Sequence, residues 1–203
     1  MPVAEQERAQ NFVSTVVDDV SLVSRFKSGD EKAFAEIVKF HQPRLLQVAT
    51  VLLQNEQDAM DTVQDVFVKA YFKLGSFRED SSLYTWLYRI LYNRCISFLR
   101  RKKIVKFLSF STEEEESIDF PSNDPAPDKV YERSEILLSI TEALGKLPLR
   151  QRTVFTMKQM DDLKFSEISE ITGITEGAAK ASYFHAVKKL QTLLRHFGDV
   201  LHE

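Results

Sequence analysis

FSEISEITGITEGAAKASYFHAVKKL, residues 165–190, is the stretch whose reading decides the fold. Ile168 and Ile171 mark a short helical run that Ser166 is placed to cap, Gly173 and Ile174 make a turn, and Thr175 is placed to cap a second helix. Along that helix Ala179, Tyr183, Ala186 and Leu190 fall at i, i+4, i+7 and i+11 and define its buried side, leaving Lys180, Phe184, His185 and Lys188 outward. In a helix-turn-helix the second helix enters the major groove, where its early residues meet base edges. A packed helical hairpin with no DNA role shares the pattern, so the rest of the chain must decide.

Working upstream, Ile136–Leu147 and Gln151–Met160 read as a helical pair broken at Pro148. Before them, Ser109–Glu135 holds nine acidic residues against Lys129 and Arg133, together with Pro121, Pro125 and Pro127. That composition opposes helix and predicts an acidic, flexible linker. The net charge of -3 is thus strongly segregated: no acid occurs between Asp80 and Glu113, where Arg89, Arg94, Arg100, Arg101, Lys102, Lys103 and Lys106 all fall. The expected architecture is all-α: a first helical domain over 20–106, a linker over 107–134 and a helix-turn-helix domain over 135–197. The first dozen or so residues are polar and read as a mobile end.

Three helices are expected in the first domain. One carries Phe34, Ile37, Val38, Leu45, Val48 and Leu52, with a kink at Pro43. Another, Glu56–Leu74, buries Ala59, Val63, Val66, Phe67, Ala70 and Leu74 and ends at Gly75. On its other side Asp58, Asp61 and Asp65, with Gln64 beside them, form an acidic stripe. This is either a wet face favoured near a helix N-terminus or a dock for a basic partner. The third helix, Leu83–Lys103, places Trp86, Arg89, Asn93, Ser97 and Arg100 on one face and Leu83, Leu87, Ile90, Leu91 and Phe98 on another. An aromatic ring among cations and amides suits single-stranded DNA: rings stack on bases for roughly 1–3 kcal/mol each, and cations follow phosphates. The alternative is a core tryptophan above an ordinary basic helix end. In the connection before this helix, Ser81 or Ser82 can cap, and Phe77 either staples the helix start or lines a base pocket.

Other classes find little support. His41, His185, His196 and His202 show no metal-ligand spacing with one another or with Cys95, and no glycine run cradles phosphate, so no catalytic site, cofactor or metal is expected. His41 reads as a satisfied core residue, and Cys95, the only cysteine, as buried packing in a reducing, cytoplasmic compartment. No secretory signal pattern and no long uncharged apolar run is present, so membrane insertion is not expected.

Taken in order, FKSGDEKAFAEIV (26–38), DAMDTVQDVFVKAY (58–71), FREDSSLYTWLYRILYN (77–93) and ALGKLPLRQRTVFTMKQMDDLKFSEISEITGITEG (143–177) resemble the extracytoplasmic-function (ECF) class of the sigma-70 family, the sigma factors of bacterial RNA polymerase. The resemblance covers about Val20–Arg195. It implies that Asp58, Asp61, Gln64 and Asp65 bind the clamp helices of the polymerase beta-prime subunit. It implies too that Phe77 lies in a loop receiving a flipped base, while Trp86, Arg89, Asn93, Ser97, Arg100 and Arg101 hold the minus-10 non-template strand. Thr175, Lys180, Ser182, Phe184, His185 and Lys188 would meet the minus-35 element, their domain would touch the beta flap, and the linker would follow the RNA exit path. A dedicated anti-sigma factor is a further expected partner.

The recognition segment departs from the family pattern. GTVKSRLxRAR becomes GAAKASYFHAV, so Ser182, His185 and Val187 stand where arginines are usual. Arginine is the best bidentate guanine reader and a dependable phosphate ligand, so weak minus-35 binding is expected. A stand-alone helix-turn-helix regulator is the competing reading. It requires an effector pocket or dimer helix in the first domain, where the sequence instead offers a basic aromatic face and an acidic stripe.

Overall fold

A computed structural model describes residues 19–109 and 139–195, which fall into two compact units. One gathers the described residues up to Thr50 with Asn55–Arg94; the other gathers Val51–Gln54 with the described residues from Cys95 onward. Every regular element among them is helical. Most of the expected linker and the polar N-terminal stretch lie outside the described residues.

The first element, a helix over residues 19–27 (α1), was not foreseen. It buries Leu22 and Val23, and buried Asp19 places Oδ1 2.9 Å from Nε2 of buried His41, so His41 is a partnered core residue as expected. The turn after it uses Gly29 at φ 97°, open to glycine at little cost. Asp30 then accepts from the Lys32 amide at 3.0 Å and from Arg25 at 2.7 and 3.0 Å. The Arg25 hydrogen bonds hold the Asp30 carboxyl below its usual range.

Helix α2 (Glu31–Leu53) runs through Pro43 and buries Ala33, Ile37, Leu45 and Val48. Asn55 caps α3 (Glu56–Lys73) by accepting from the Asp58 amide at 2.8 Å. The expected α3 stripe from Ala59 to Leu74 is buried throughout. Each fully buried Val, Leu or Phe in it contributes about 1.5–3 kcal/mol. Gly75 does not end the helix in a left-handed turn; the chain tightens into a 3₁₀ turn over Leu74–Ser76. Phe34, Phe67 and Tyr71 meet edge to face, at 6.4 Å and 5.1 Å from Phe34, and Tyr71 donates to Glu31 at 3.0 Å. These contacts tie α2 to α3. Helix α4 spans Leu83–Ser109, six residues longer than expected. Ser82, rather than Ser81, caps it, its hydroxyl accepting from the Thr85 amide at 3.0 Å.

In the second unit a helix over residues 139–145 (α5) precedes α6 (Leu149–Gln159), α7 (Phe165–Thr172) and α8 (Glu176–Leu193). Ala143, Leu144, Leu147, Ala186 and Leu190 form its core, with Phe155, Leu193 and Leu194 packed on it. Gly173 at φ 74° ends α7, and the Thr175 hydroxyl caps α8 by accepting from the Ala178 amide at 3.2 Å. Ser166 is exposed and one residue inside α7, so it is not the cap. Glu167 takes that part, its carboxylate accepting the Lys164 amide at 2.8 Å.

Candidate nucleic-acid and polymerase interfaces

Between the 3₁₀ turn and α4, residues 77–82 form a short connection whose backbone is extended at Phe77 and left-handed at Glu79, φ 63°. Phe77 is buried, and its ring packs on Trp86 at 5.3 Å. It is therefore the floor of the loop and not an open aromatic face, because the aromatic pair fastens the loop to the first turn of α4. Trp86 is half-buried, intermediate between the two expected extremes. Arg89 and Asn93 are exposed beyond it, and farther along the same helix Ser97, Arg100 and Arg101 are exposed as well, Arg101 donating to the Ser97 carbonyl at 3.4 Å. From Leu83 to Ile104 no carboxylate lies on this helix, which leaves a positive, solvated edge beside an aromatic floor. Such an edge can track phosphates while a ring is offered to a base.

On α3 the acidic residues do not act alike. Asp61 and Gln64 line an open groove of about 800 Å³ that also draws on Phe34, Val38, Leu46, Met60, Val68 and Phe72. Asp61 accepts from Gln57 at 3.2 Å, whereas Asp65 faces Arg94 at 3.6 Å, and neither it nor Asp58 lines the groove. Met60, Val68 and Phe72 are 42%, 53% and 80% exposed. Sequence reading missed this apolar partner of the acidic stripe. Its signal was present: Met60, Gln64, Val68 and Phe72 recur every four residues, a second stripe beside the buried one.

On α8, Thr175, Lys180, Phe184, His185 and Lys188 are exposed, with Phe184 64% exposed and packed edge-on to His185 at 5.8 Å. Ser182 is not with them. It is 8% exposed and donates to the Ala178 carbonyl at 2.7 Å, because the buried stripe is Ala179, Ser182, Ala186 and Leu190. Tyr183, expected in that stripe, is half-buried; it stacks on Phe155 at 6.0 Å, meets Phe165 at 5.9 Å and accepts from Gln159 at 2.8 Å. These positions thus present Phe184, His185 and the lysines at 180 and 188 where an arginine-rich edge was the family expectation.

Among the described residues no three His, Cys, Asp or Glu side chains converge to hold a metal, and no helix is long and apolar enough to cross a membrane.

The chain is similar to known proteins over both of its units. Residues 37–104 match the family model for Sigma-70 region 2, and residues 137–190 the model for Sigma-70, region 4. The chain is 31% identical over 189 residues to the RNA polymerase sigma-H factor of Pseudomonas aeruginosa, covering 89% of this chain and 98% of that protein. It is 32% identical over 177 residues to the ECF RNA polymerase sigma factor SigW of Bacillus subtilis, covering 85% and 95%. Among solved structures it is similar to the sigma factor RpoE in complex with the anti-sigma factor NepR from Bartonella quintana, with a TM-score of 0.65, 27% identity and coverage of 81% of this chain and 98% of that one. CnrH in complex with the cytosolic domain of CnrY gives a TM-score of 0.64 at 25% identity, covering 88% and 98%. Two matched regions in the right order and full-length relatives of the same kind decide against a stand-alone regulator or an enzyme: the chain belongs to the ECF class of the sigma-70 family, sigma subunits that bind core RNA polymerase, direct it to promoters and assist their melting.

Proposed function

We propose that the work of this sigma factor is divided among three surfaces. Asp61 and Gln64, at the rim of the α2–α3 groove, with Asp58 and Asp65 on the same helix, receive the clamp helices of the polymerase beta-prime subunit. Apolar residues in the groove supply contact area, and the acids supply the charge that selects a basic partner and speeds encounter. The loop over 77–82, floored by Phe77 and Trp86, and the α4 edge of Arg89, Asn93, Ser97, Arg100 and Arg101 hold the minus-10 non-template strand unpaired. This step needs no bond making by the chain, because capture of an extruded base shifts the duplex toward its open form. Lys180, Phe184, His185 and Lys188, with Thr175 at the helix start, approach the minus-35 duplex, and the same domain meets the beta flap.

The observation that carries the reading is the pairing, within the first helical unit, of an acid-rimmed apolar groove with an aromatic loop floor leading onto the exposed Arg89 and Asn93 of α4, a helix with no carboxylate from Leu83 to Ile104. A cytoplasmic location follows from work on core polymerase. The anti-sigma factor bound to the Bartonella quintana relative supports a similar inhibitory partner here.

Run-off transcription with purified core polymerase on a randomised promoter library tests the whole assignment. Promoter-specific transcripts are expected, together with their loss on Trp86→Ala and Arg89→Ala replacement. Transcripts of undiminished specificity from that double variant would remove the strand-holding role.

A further inference from the structure

Lys27, at the end of α1, extends an amine that donates to the Phe77 carbonyl at 2.8 Å and meets Glu79 Oε1 at 3.2 Å. The two oxygens lie on either side of Arg78, fifty and fifty-two residues along the chain from the lysine. We infer that Lys27 is a positioning residue for the promoter strand: it pins the start of the 77–82 loop so that Phe77 stays packed against Trp86 and the half-buried Trp86 stands ready for an unpaired base. This rests on the strand-holding role proposed above for that loop.

Three observations carry it. The lysine is itself well placed, because α1 is fastened by buried Leu22 and Val23, by the Asp19–His41 contact and by Phe26, whose ring meets Phe34 at 5.6 Å and Tyr71 at 5.4 Å. Glu79 holds a left-handed backbone, φ 63°, which a residue other than glycine adopts only where its surroundings hold it. The far end of the loop is already fixed by the Ser82 hydroxyl, which bonds both the amide and the hydroxyl of Thr85. With Lys27 at one end and Ser82 at the other, the backbone that faces the strand is ordered during folding, and that ordering need not be supplied when a base arrives. Helix α1 precedes the segment matched to Sigma-70 region 2, so the anchor comes from outside that segment.

The test uses full-length chain reconstituted with bacterial core polymerase. The probe is a short fluorescent single-stranded DNA selected from a randomised pool by the wild-type holoenzyme. Trp86 is the only tryptophan, so acrylamide quenching in the free chain reports whether Phe77 still covers it. Lys27→Met is expected to weaken strand binding about three- to tenfold and to raise Trp86 quenching, with helix content and core affinity unchanged. Lys27→Arg, whose guanidinium can reach both oxygens, is expected to restore both readouts. Glu79→Gln, which keeps the carbonyl bond, should fall between the two; it also stands in should Lys27→Met fail to fold.

Wild-type quenching and wild-type affinity in Lys27→Met would overturn the inference, as would Lys27→Arg behaving like Lys27→Met. Wild-type strand affinity in Phe77→Ala and Trp86→Ala chains would instead overturn the role of the loop in holding DNA. The quenching difference between Lys27 variants would then stand as the separate record of whether the lysine fixes the loop.

Discussion

At the scale of single residues, Asp61 and Asp65 separate binding from stability. Both are exposed, and the ion pair that Asp65 makes with Arg94 at 3.6 Å is partly solvated and worth at most about 1 kcal/mol. Charge reversal at both positions, Asp61→Lys with Asp65→Lys, is expected to shift the unfolding free energy by less than about 1 kcal/mol. It should weaken core association at least about tenfold if the groove receives a basic partner. Denaturant titration and a core-binding titration on the same preparation measure the two, and unchanged core affinity would remove the docking role. Cys95 gives a second case. Burial pushes its thiol up to about 12, so the native chain should resist thiol reagents at neutral pH and react only on unfolding. The neutral thiol is favoured in the folded state, so this group lowers stability as pH rises from about 9 toward 12, where the unfolded chain ionises first. Reaction with a chromogenic disulfide, with and without denaturant, checks the first statement.

At the scale of elements, the helix-turn-helix was legible because its punctuation is local. Gly173 and Thr175 occupy the places their chemistry dictates, and the buried series from Ala179 to Leu190 follows helical period. What was misread is also local: serine is a good cap, but Lys164 and Glu167 already close the start of α7, which leaves Ser166 exposed inside the first turn. Two outcomes follow. Gly173→Ala should destabilise the chain by about 1–2 kcal/mol, since φ 74° is unfavourable for any residue bearing a Cβ. Ser166→Ala should change stability by less than about 0.5 kcal/mol, while Thr175→Ala should cost about 0.5–2 kcal/mol. Chemical denaturation of the three variants checks the ranking, and a Ser166→Ala loss as large as that of Thr175→Ala would contradict the cap assignment. Ser182 was misassigned because 182 and 183 straddle the edge of the buried stripe, and only packing against Phe155 and Phe165 decides which of the two turns inward. Helix α1 and Lys27 were illegible for a different reason: a long-range bond from an amine to a backbone carbonyl leaves no periodic trace in sequence.

At the scale of the whole molecule, the two-region order was readable from motif sequence and from the acidic interval between them, and the family comparison agrees. The apolar groove was only half legible: the repeat of Met60, Val68 and Phe72 marks a second stripe on α3, but whether that stripe is covered or exposed depends on what α3 packs against. The cation-poor edge of α8 bears on promoter use. Arginine is absent at 185 and 187, and each missing phosphate contact flattens the salt dependence of duplex binding by about 0.9 in logarithmic slope. Scrambling the minus-10 element is therefore expected to reduce run-off transcription more than scrambling the minus-35 element. Equal losses would contradict a light grip by the second region.

The inward side of α8 has one more consequence. Ala179, Ser182 and Ala186 are small, so the helix seats close to its neighbours, and the exposed Phe184 and His185, whose rings meet each other, contribute little to holding it there. Stability and sequence preference are thus carried by different side chains of one helix. After a gene duplication, a daughter copy can drift toward a new set of target genes through those outward positions alone, with no intermediate that has to survive a weakened scaffold.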